Sequence, residues 1–169
     1  FSKITLLKGA EEDIDKNGKL VLKESVLKKL DFVIASVHSG FKSSETEMTD
    51  RMVKAMENPY VNVIGHPTGM LMQKRKPYAV NFERVFDAAK ANNVALEINA
   101  FPNRLDLNDV NARAAKEYGV KLIIGTDSHS KEHLDFMELG VGVARRAWCS
   151  SRDVVNCLSL SGLRKWLKK

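Results

Sequence analysis

Short runs rich in Val and Ile recur along this sequence at the spacing of one strand-and-helix unit. The polar residues His38, His66, Glu97 and Asp127, which lie in or just after these runs, are 28, 31 and 30 positions apart. The runs lack strict alternation of apolar and polar residues, which is typical of strands buried on both faces of a parallel sheet. We therefore predict a parallel α/β fold with strands over residues 5–10, 32–37, 61–65, 94–98, 121–126 and 141–143.

Amphipathic segments between these runs predict helices. Ser44, with Glu47 three residues later, indicates an N-terminal capping box. Asn108 or Asp109 can cap a later helix that Gly119 ends. Shorter helices are expected through residues 134–140, 154–158 and 163–167. Three apolar stripes are expected to face the core: Met48, Met52, Val53 and Met56; Phe82, Val85, Phe86 and Ala89; and Val110, Ala114 and Tyr118.

Imidazoles and carboxylates follow several of the predicted strands. His38, His66 and the Asp127-Ser128-His129 segment come at or just after strand ends, and Glu11 follows the first run. Because the carboxyl ends of parallel strands meet at one edge, these groups are expected to converge on a metal site. Residues i and i+2 of a strand project to the same side, so Asp127 and His129 are expected to reach one ion. Histidines bonded to backbone carbonyls, a solvated turn and an acidic helix start remain the alternatives.

Other polar residues lie around the expected site. Glu97 and Asn99 sit in an apolar run, where a carboxylate needs a partner; they fit groups that orient a histidine, an additional ligand, or an internal salt bridge. Lys74, Arg75, Lys76 and Arg104 follow the His66 and Glu97 runs and can bind phosphate oxygens, or form a solvated charge run. His133, further along, is expected at the surface.

Length and composition exclude some classes of protein. The 169 residues suffice for one domain with a sizeable core. No apolar run reaches about 18 residues, so we expect neither a transmembrane helix nor a signal peptide. Cys149 and Cys157 suggest reduced thiols in a cytoplasmic protein without a membrane partner. The formal net charge of +6 suits a polyanionic partner without proving one.

The ordered motifs resemble the later motifs of the PHP (polymerase and histidinol phosphatase) superfamily. They are Gly-Ala-Glu at Glu11, Ala-Ser-Val-His-Ser at His38, Gly-His-Pro-Thr-Gly at His66, Leu-Glu-Ile-Asn at residues 96–99, and Gly-Thr-Asp-Ser-His-Ser at residues 125–130. Residues 32–41, 99–111 and 140–148 are similar to the PHP domain at the C-terminus of bacterial and archaeal family X DNA polymerases. The resemblance covers nearly the whole chain.

This resemblance implies a distorted (β/α)7 TIM-like barrel. The family's domain opens with a His-x-His motif that does not occur here, so residues 1–169 are expected to be the C-terminal portion of one PHP domain, incomplete at its N-terminus. The implied cofactor is a cluster of two or three divalent metals (Zn, Mn or Mg). The residues that match the family's metal ligands are Glu11, His38, His66, Asp127 and His129, and catalysis is assigned to His66, Asp127 and His129.

The resemblance further implies a metal-dependent phosphoesterase that acts on DNA, as a 3′–5′ exonuclease or a 3′-end-processing activity in repair. The polymerase domains of the same full-length chain would be its partners. Two alternatives stay open. One is a phosphomonoesterase of the histidinol-phosphatase type, and the other is a non-catalytic scaffold domain beside a polymerase.

Overall fold

A five-stranded parallel sheet with its strands in sequential order organises the protein. The computed structural model describes residues 4–168. The strands are β1 (Gly9–Asp13), β2 (Phe32–Ser36), β3 (Val63–Ile64), β4 (Ala95–Asn99) and β5 (Leu122–Gly125). The helices are α1 (Glu24–Leu27), α2 (Glu45–Met56), α3 (Phe82–Ala91), α4 (Asp109–Glu117), α5 (Met137–Arg146) and α6 (Leu160–Leu167), with 3₁₀ turns at Lys131–Phe136 and Val155–Cys157. The predicted parallel α/β architecture is confirmed.

The sheet is open over the described residues, and its outer strands are β1 and β5. The expected seven-unit barrel therefore stays a prediction. The sixth predicted strand, residues 141–143, was wrong, because this segment lies inside α5. Gly140, Val143 and Ala144 are the buried residues of α5, and their i, i+3, i+4 spacing is that of a helix packed on the sheet. The helix predicted to end at Gly140 continues to Arg146 for the same reason.

The first strand is shifted from its predicted position. β1 begins at Gly9 because its partner β2 begins at Phe32, which lies opposite Gly9 in the register. Residues 5–8 of the strand predicted over residues 5–10 are therefore not part of a strand. The shift places Glu11 in the middle of β1, rather than after it, opposite Ile34.

The two faces of the sheet differ in chemistry. One face carries Ala35, Ile64 and Leu96 into the main core, where they meet α2 to α5. On the other face, a smaller apolar cluster around Val63 and Ala95 is covered by Leu163 and Trp166 of α6. Side chains on one face are two residues apart, so this second face continues towards the carboxyl ends of its strands as Ser36, Gly65, Glu97 and Gly125. The second face thus changes from apolar to polar along the strands.

The helix caps follow the predicted chemistry. Ser44 forms the capping box with Glu47 at the start of α2, and Asn108 caps α4 by accepting from the N–H of Asn111. One predicted stripe is confirmed only in part: Ala114 packs against the main core, but Val110 is 70% exposed, and the buried residues of α4 are Ala112 and Ala115. Small residues face the sheet here and allow close approach of the helix. Within residues 4–168, no helix is long and apolar enough to cross a membrane.

Two glycines in α5 provide a test of this packing. A Cβ on Gly140 would collide with Ile124 and come within 2.9 Å of Ala100 Cβ, whereas one on Gly142 would meet nothing within 4 Å. We expect Gly140→Ala to lower the free energy of unfolding, because overpacking costs about 1–3 kcal/mol. Gly142→Ala should raise it by about 0.5–1 kcal/mol through helix propensity. Urea denaturation measures both, and equal stability of the two variants would contradict the packing described.

Candidate metal centre

Glu11, His38 and His66, from three neighbouring strands and their ends, meet on the polar part of the second face. Glu11 Oε1 lies 3.1 Å from His66 Nε2 and 3.5 Å from His38 Nε2. The two Nε2 atoms are 3.2 Å apart. One carboxylate oxygen and two imidazole nitrogens thus form a compact triangle. We call these three residues the Glu-His-His group.

The local backbone brings His66 into this group. His66 follows Gly65 at the end of β3, has a φ of 28°, and is 1% exposed. Its backbone N–H donates to Glu97 Oε2 at 2.7 Å, so a buried carboxylate on β4 fixes the turn. A side chain at position 65 would collide with Ser36 Oγ and with Ile34. Only glycine at this position lets the end of β3 lie so close to β2.

Asp13 orients the imidazole of His38 from the side opposite the triangle. Its Oδ1 lies 2.5 Å from His38 Nδ1. When His38 donates from Nδ1 to this carboxylate, Nε2 is the nitrogen directed at Glu11 and His66, and it can bind a metal once its proton is lost. A carboxylate behind a histidine is a common arrangement around protein-bound metals. Asp13 was not among the predicted site residues, since the predicted strand ended at residue 10; in the structure Asp13 lies two residues after Glu11 on β1, which places both side chains on the same face.

The Glu-His-His group fits a divalent cation. In a tetrahedral site with metal–ligand bonds of about 2.0–2.1 Å, neighbouring ligand atoms are about 3.3 Å apart. The three separations of 3.1, 3.2 and 3.5 Å lie on both sides of this value. Two imidazole nitrogens and one carboxylate oxygen also form the donor set of several catalytic zinc sites. These three residues can therefore hold a divalent ion, whose identity the geometry does not fix.

The electrostatics of the group favour a cation. Hydrogen bonds with His38 and then His66 hold the pKa of the Glu11 carboxyl well below its usual range. The contact with Glu11, followed by that with Asp13, raises the pKa of His38. Burial raises the pKa of Glu97 to about 8, and the charges of Glu11 and Asp127 add to this effect. Glu11 is thus ionised near neutral pH, while Glu97 in the metal-free protein holds its proton.

Asp127 lies beside the Glu-His-His group and is linked to it through Asn99. Asn99 Nδ2 donates to Asp127 Oδ2 at 3.2 Å and to Glu97 Oε2 at 3.4 Å. Arg104 Nε lies 3.4 Å from the same Asp127 oxygen. Hydrogen bonds from Asn99 thus connect Glu97 with Asp127, and Arg104 forms an ion pair with Asp127. Among the described residues, Asp127 is not one of those whose ligand atoms all lie within 4.8 Å of one another.

His129 Nδ1 lies 3.9 Å from Asp127 Oδ1, and among the described residues neither belongs to the group whose ligand atoms all lie within 4.8 Å of one another. β5 ends at Gly125, and Asp127 has a φ of 51°, so the alternation of an extended strand does not apply to residues 127 and 129. The side chain of His129 is 74% exposed, and its Nδ1 lies 2.7 Å from the backbone oxygen of Asp127. The expectation that His133 is a surface residue was incomplete. His133 is half-buried, stacks on Phe136, and accepts from the His129 N–H at 3.1 Å.

The basic residues predicted to bind phosphate differ in exposure and in whether they already have partners. Lys74 and Lys76 are exposed on the loop after His66. Arg75 is partly engaged, because its Nε donates to the Gly69 oxygen at 2.6 Å and its guanidinium lies 3.8 Å above the Phe41 ring. Arg104 is half-buried next to Asp127. Lys74 and Lys76 can therefore meet a large polyanion, whereas Arg104 can only meet a group that reaches the site itself.

A parallel α/β sheet that carries carboxylates and imidazoles on its polar edge is an arrangement typical of metal-dependent hydrolases. Comparison with known proteins agrees with this class. The chain is 40% identical over 169 residues to the DNA polymerase/3′-5′ exonuclease PolX of Bacillus subtilis (strain 168). It is 34% identical over 176 residues to a probable phosphatase of Thermoanaerobacter sp. (strain X514), and 38% identical over 136 residues to one of Caldanaerobacter subterraneus.

The chain belongs to the PHP family, related to the C-terminal region of PolX and to probable phosphatases. It is covered completely by the match to PolX, but it spans only 30% of the length of that protein. It spans 69% of the Thermoanaerobacter protein and 51% of the Caldanaerobacter protein. No protein-family model matches the chain. Its membership supports a phosphoesterase-type hydrolase role in general terms.

Proposed function

We propose that this chain is a metal-dependent phosphoesterase domain that acts on DNA ends within a family X polymerase. Removal of 3′ nucleotides or of 3′-blocking groups during repair would be its reaction. The observation that carries the proposal is the triangle of Glu11, His38 and His66, whose separations match those of metal ligands. The similarity to PolX over the whole chain supports DNA as the substrate and polymerase domains as partners.

The proposed ligands are Glu11, His38 and His66, with Asp127 and His129 next to them. When bound, divalent ions such as Zn, Mn or Mg, in a cluster of two or three, would lower the pKa of a water molecule and neutralise charge on the phosphoryl group. Asp13 keeps Nε2 of His38 free to act as a ligand by accepting from Nδ1. Glu97 holds the backbone of His66, and Asn99 ties Glu97 to Asp127. Together these groups fix the geometry of the site before substrate arrives.

The cations around the site would hold the substrate. Lys74 and Lys76 are exposed and can neutralise the DNA backbone, which makes binding weaker as salt concentration rises. Arg104, already paired with Asp127, is placed to meet a phosphate oxygen at the reacting centre. Its guanidinium can donate to both partners at once because it offers five N–H groups. The reacting phosphate would thus contact Arg104, whereas the rest of the DNA backbone would contact Lys74 and Lys76.

A small phosphomonoester is the second candidate substrate. It is favoured by the relatives from Thermoanaerobacter and Caldanaerobacter, which are described as probable phosphatases. The Glu-His-His group itself does not distinguish the two, since both reactions displace an oxygen from phosphorus. The exposed Lys74 and Lys76 are expected to matter for DNA and to have little effect on a small ester.

Asp127→Ala in the whole protein tests the proposal with both substrates. We expect hydrolysis of 3′-recessed DNA to fall by about 10³-fold, because a metal-site carboxylate contributes several kcal/mol to the transition state. Asp50→Ala is the matched control, since Asp50 pairs with Arg84 at the surface, at 2.7 Å. Faster turnover of a small phosphomonoester than of DNA by the parent protein would favour the second candidate. An unchanged rate in Asp127→Ala would contradict the assignment of the site.

A further inference from the structure

Arg51 is a buried cation on α2 whose partners are backbone oxygens and one hydroxyl. The residue is 5% exposed. Its Nε donates to the Ile14 oxygen at 3.0 Å, and Nη2 donates to that same oxygen. Nη1 donates to the Ser39 oxygen at 2.7 Å, and Nη2 lies 3.3 Å from Ser39 Oγ. One guanidinium thus joins two loops that are 25 residues apart in sequence, from Ile14 to Ser39.

Each of these two segments borders a residue of the metal centre. Ile14 directly follows Asp13, and Ser39 directly follows His38. Asp13 and His38 are the pair whose Oδ1 and Nδ1 atoms are 2.5 Å apart. The guanidinium therefore fixes the backbone next to each member of the pair. Its planar fork of donors can set the distance between the two segments, which a flexible ammonium group cannot do equally well.

Packing alone does not require a charge at this position. Met48, Met52 and Met56 of α2 are already fully buried in the main core and hold the helix on the sheet. A buried guanidinium costs free energy through desolvation, which its hydrogen bonds to the Ile14 and Ser39 oxygens offset. The desolvation also lowers the pKa of Arg51. A charge kept at this cost, with donors aimed at the two segments that carry Asp13 and His38, points to the metal centre.

We propose that Arg51 is a positioning residue of the metal centre, which sets the Asp13–His38 contact and thereby the direction of His38 Nε2. This inference rests on the proposed function, because it assumes that His38 binds a metal. Arg51 does not touch substrate or metal. It acts through the backbone of residues 14 and 39, and its removal is expected to weaken metal binding without removing a ligand.

Arg51→Lys tests the inference by titration of the metal-free whole protein with Co²⁺, followed by the visible absorption of the bound ion. We expect affinity to fall by about 10-fold, within the range seen when groups behind metal ligands are changed, together with an altered absorption spectrum. Arg84→Lys is the matched control, because Arg84 is exposed and its partner is Asp50. If the lysine variant does not fold, Arg51→Met serves instead, since it keeps an apolar stem in the stripe of methionines.

A double variant shows whether Arg51 acts through Asp13. Asp13→Asn alone is expected to weaken Co²⁺ binding by about 10-fold or more. If Arg51 works by setting the Asp13–His38 contact, adding Arg51→Lys to Asp13→Asn should cost much less than it does alone. Full additivity, or Arg51→Lys binding as tightly as the Arg84→Lys control, would overturn the inference. Failure of the parent protein to bind Co²⁺ would instead overturn the proposed function.

Discussion

His66→Ala is expected to lose the metal and with it phosphoester hydrolysis, by about 10³-fold or more, because metal-ion catalysis supplies several kcal/mol. His66 is the best-defined member of the Glu-His-His group, since it is 1% exposed and its Nε2 lies near both Glu11 and His38. The alanine substitution removes one of the three proposed ligand atoms, His66 Nε2. Metal content of the purified protein and hydrolysis of 3′-recessed DNA are the two measurements.

The control for this variant is His133→Ala. His133 lies outside the Glu-His-His group, accepts from the His129 N–H and stacks on Phe136, so the metal held by the group should be retained. Urea denaturation in the presence of a chelator separates loss of metal from loss of fold, because it compares metal-free proteins. Full metal content in a folded His66→Ala protein would show that the triangle is not the binding site.

Gly125→Ala is expected to disturb the same site through Glu97, which holds the backbone of His66. A Cβ on Gly125 would collide with Glu97 Oε1 and come within 3.3 Å of its Cδ. Glu97 is 5% exposed and has little room to move, and its other oxygen holds the backbone of His66. We expect the free energy of unfolding to fall by about 1–3 kcal/mol and metal affinity to fall by about 10-fold or more. Denaturation and Co²⁺ titration measure the two effects.

The cause can be isolated with a second substitution at Glu97. In a Glu97→Ala background the collision is removed, so Gly125→Ala should cost much less stability than it does in the parent protein. Gly142→Ala, which adds a methyl group in open space, controls for the change from glycine to alanine itself. An equal cost of Gly125→Ala in both backgrounds would assign the effect to the strand backbone rather than to Glu97.

The site could be predicted from the sequence only in part. Glu11, His38 and His66 were identifiable because each lies in or just beyond an apolar run, and parallel strands carry their ends to one edge. Asp127 and His129 do lie together, with His129 Nδ1 3.9 Å from Asp127 Oδ1, but not through strand alternation, because the chain leaves β5 at Gly125 and Asp127 has a positive φ. Asp13 was not identifiable, because the predicted first strand ended at residue 10, and only the register of β1 with β2 puts Asp13 on one strand face with Glu11. Arg51 gave no signal, because its partners are backbone atoms of residues distant in sequence.

The sequence by itself determined the alternation of strands and helices, the helix caps at Ser44 and Asn108, and the family. The strand and helix pattern and the caps depend on neighbours within a few residues, and the family is recognised from short sequence motifs. Only the tertiary structure decided that residues 141–143 form a helix and that β1 begins at Gly9, because both depend on what the segment packs or pairs against. The contacts of Asp13, Glu97 and Arg51 were decided in the same way, since burial and register bring together groups that no local pattern connects.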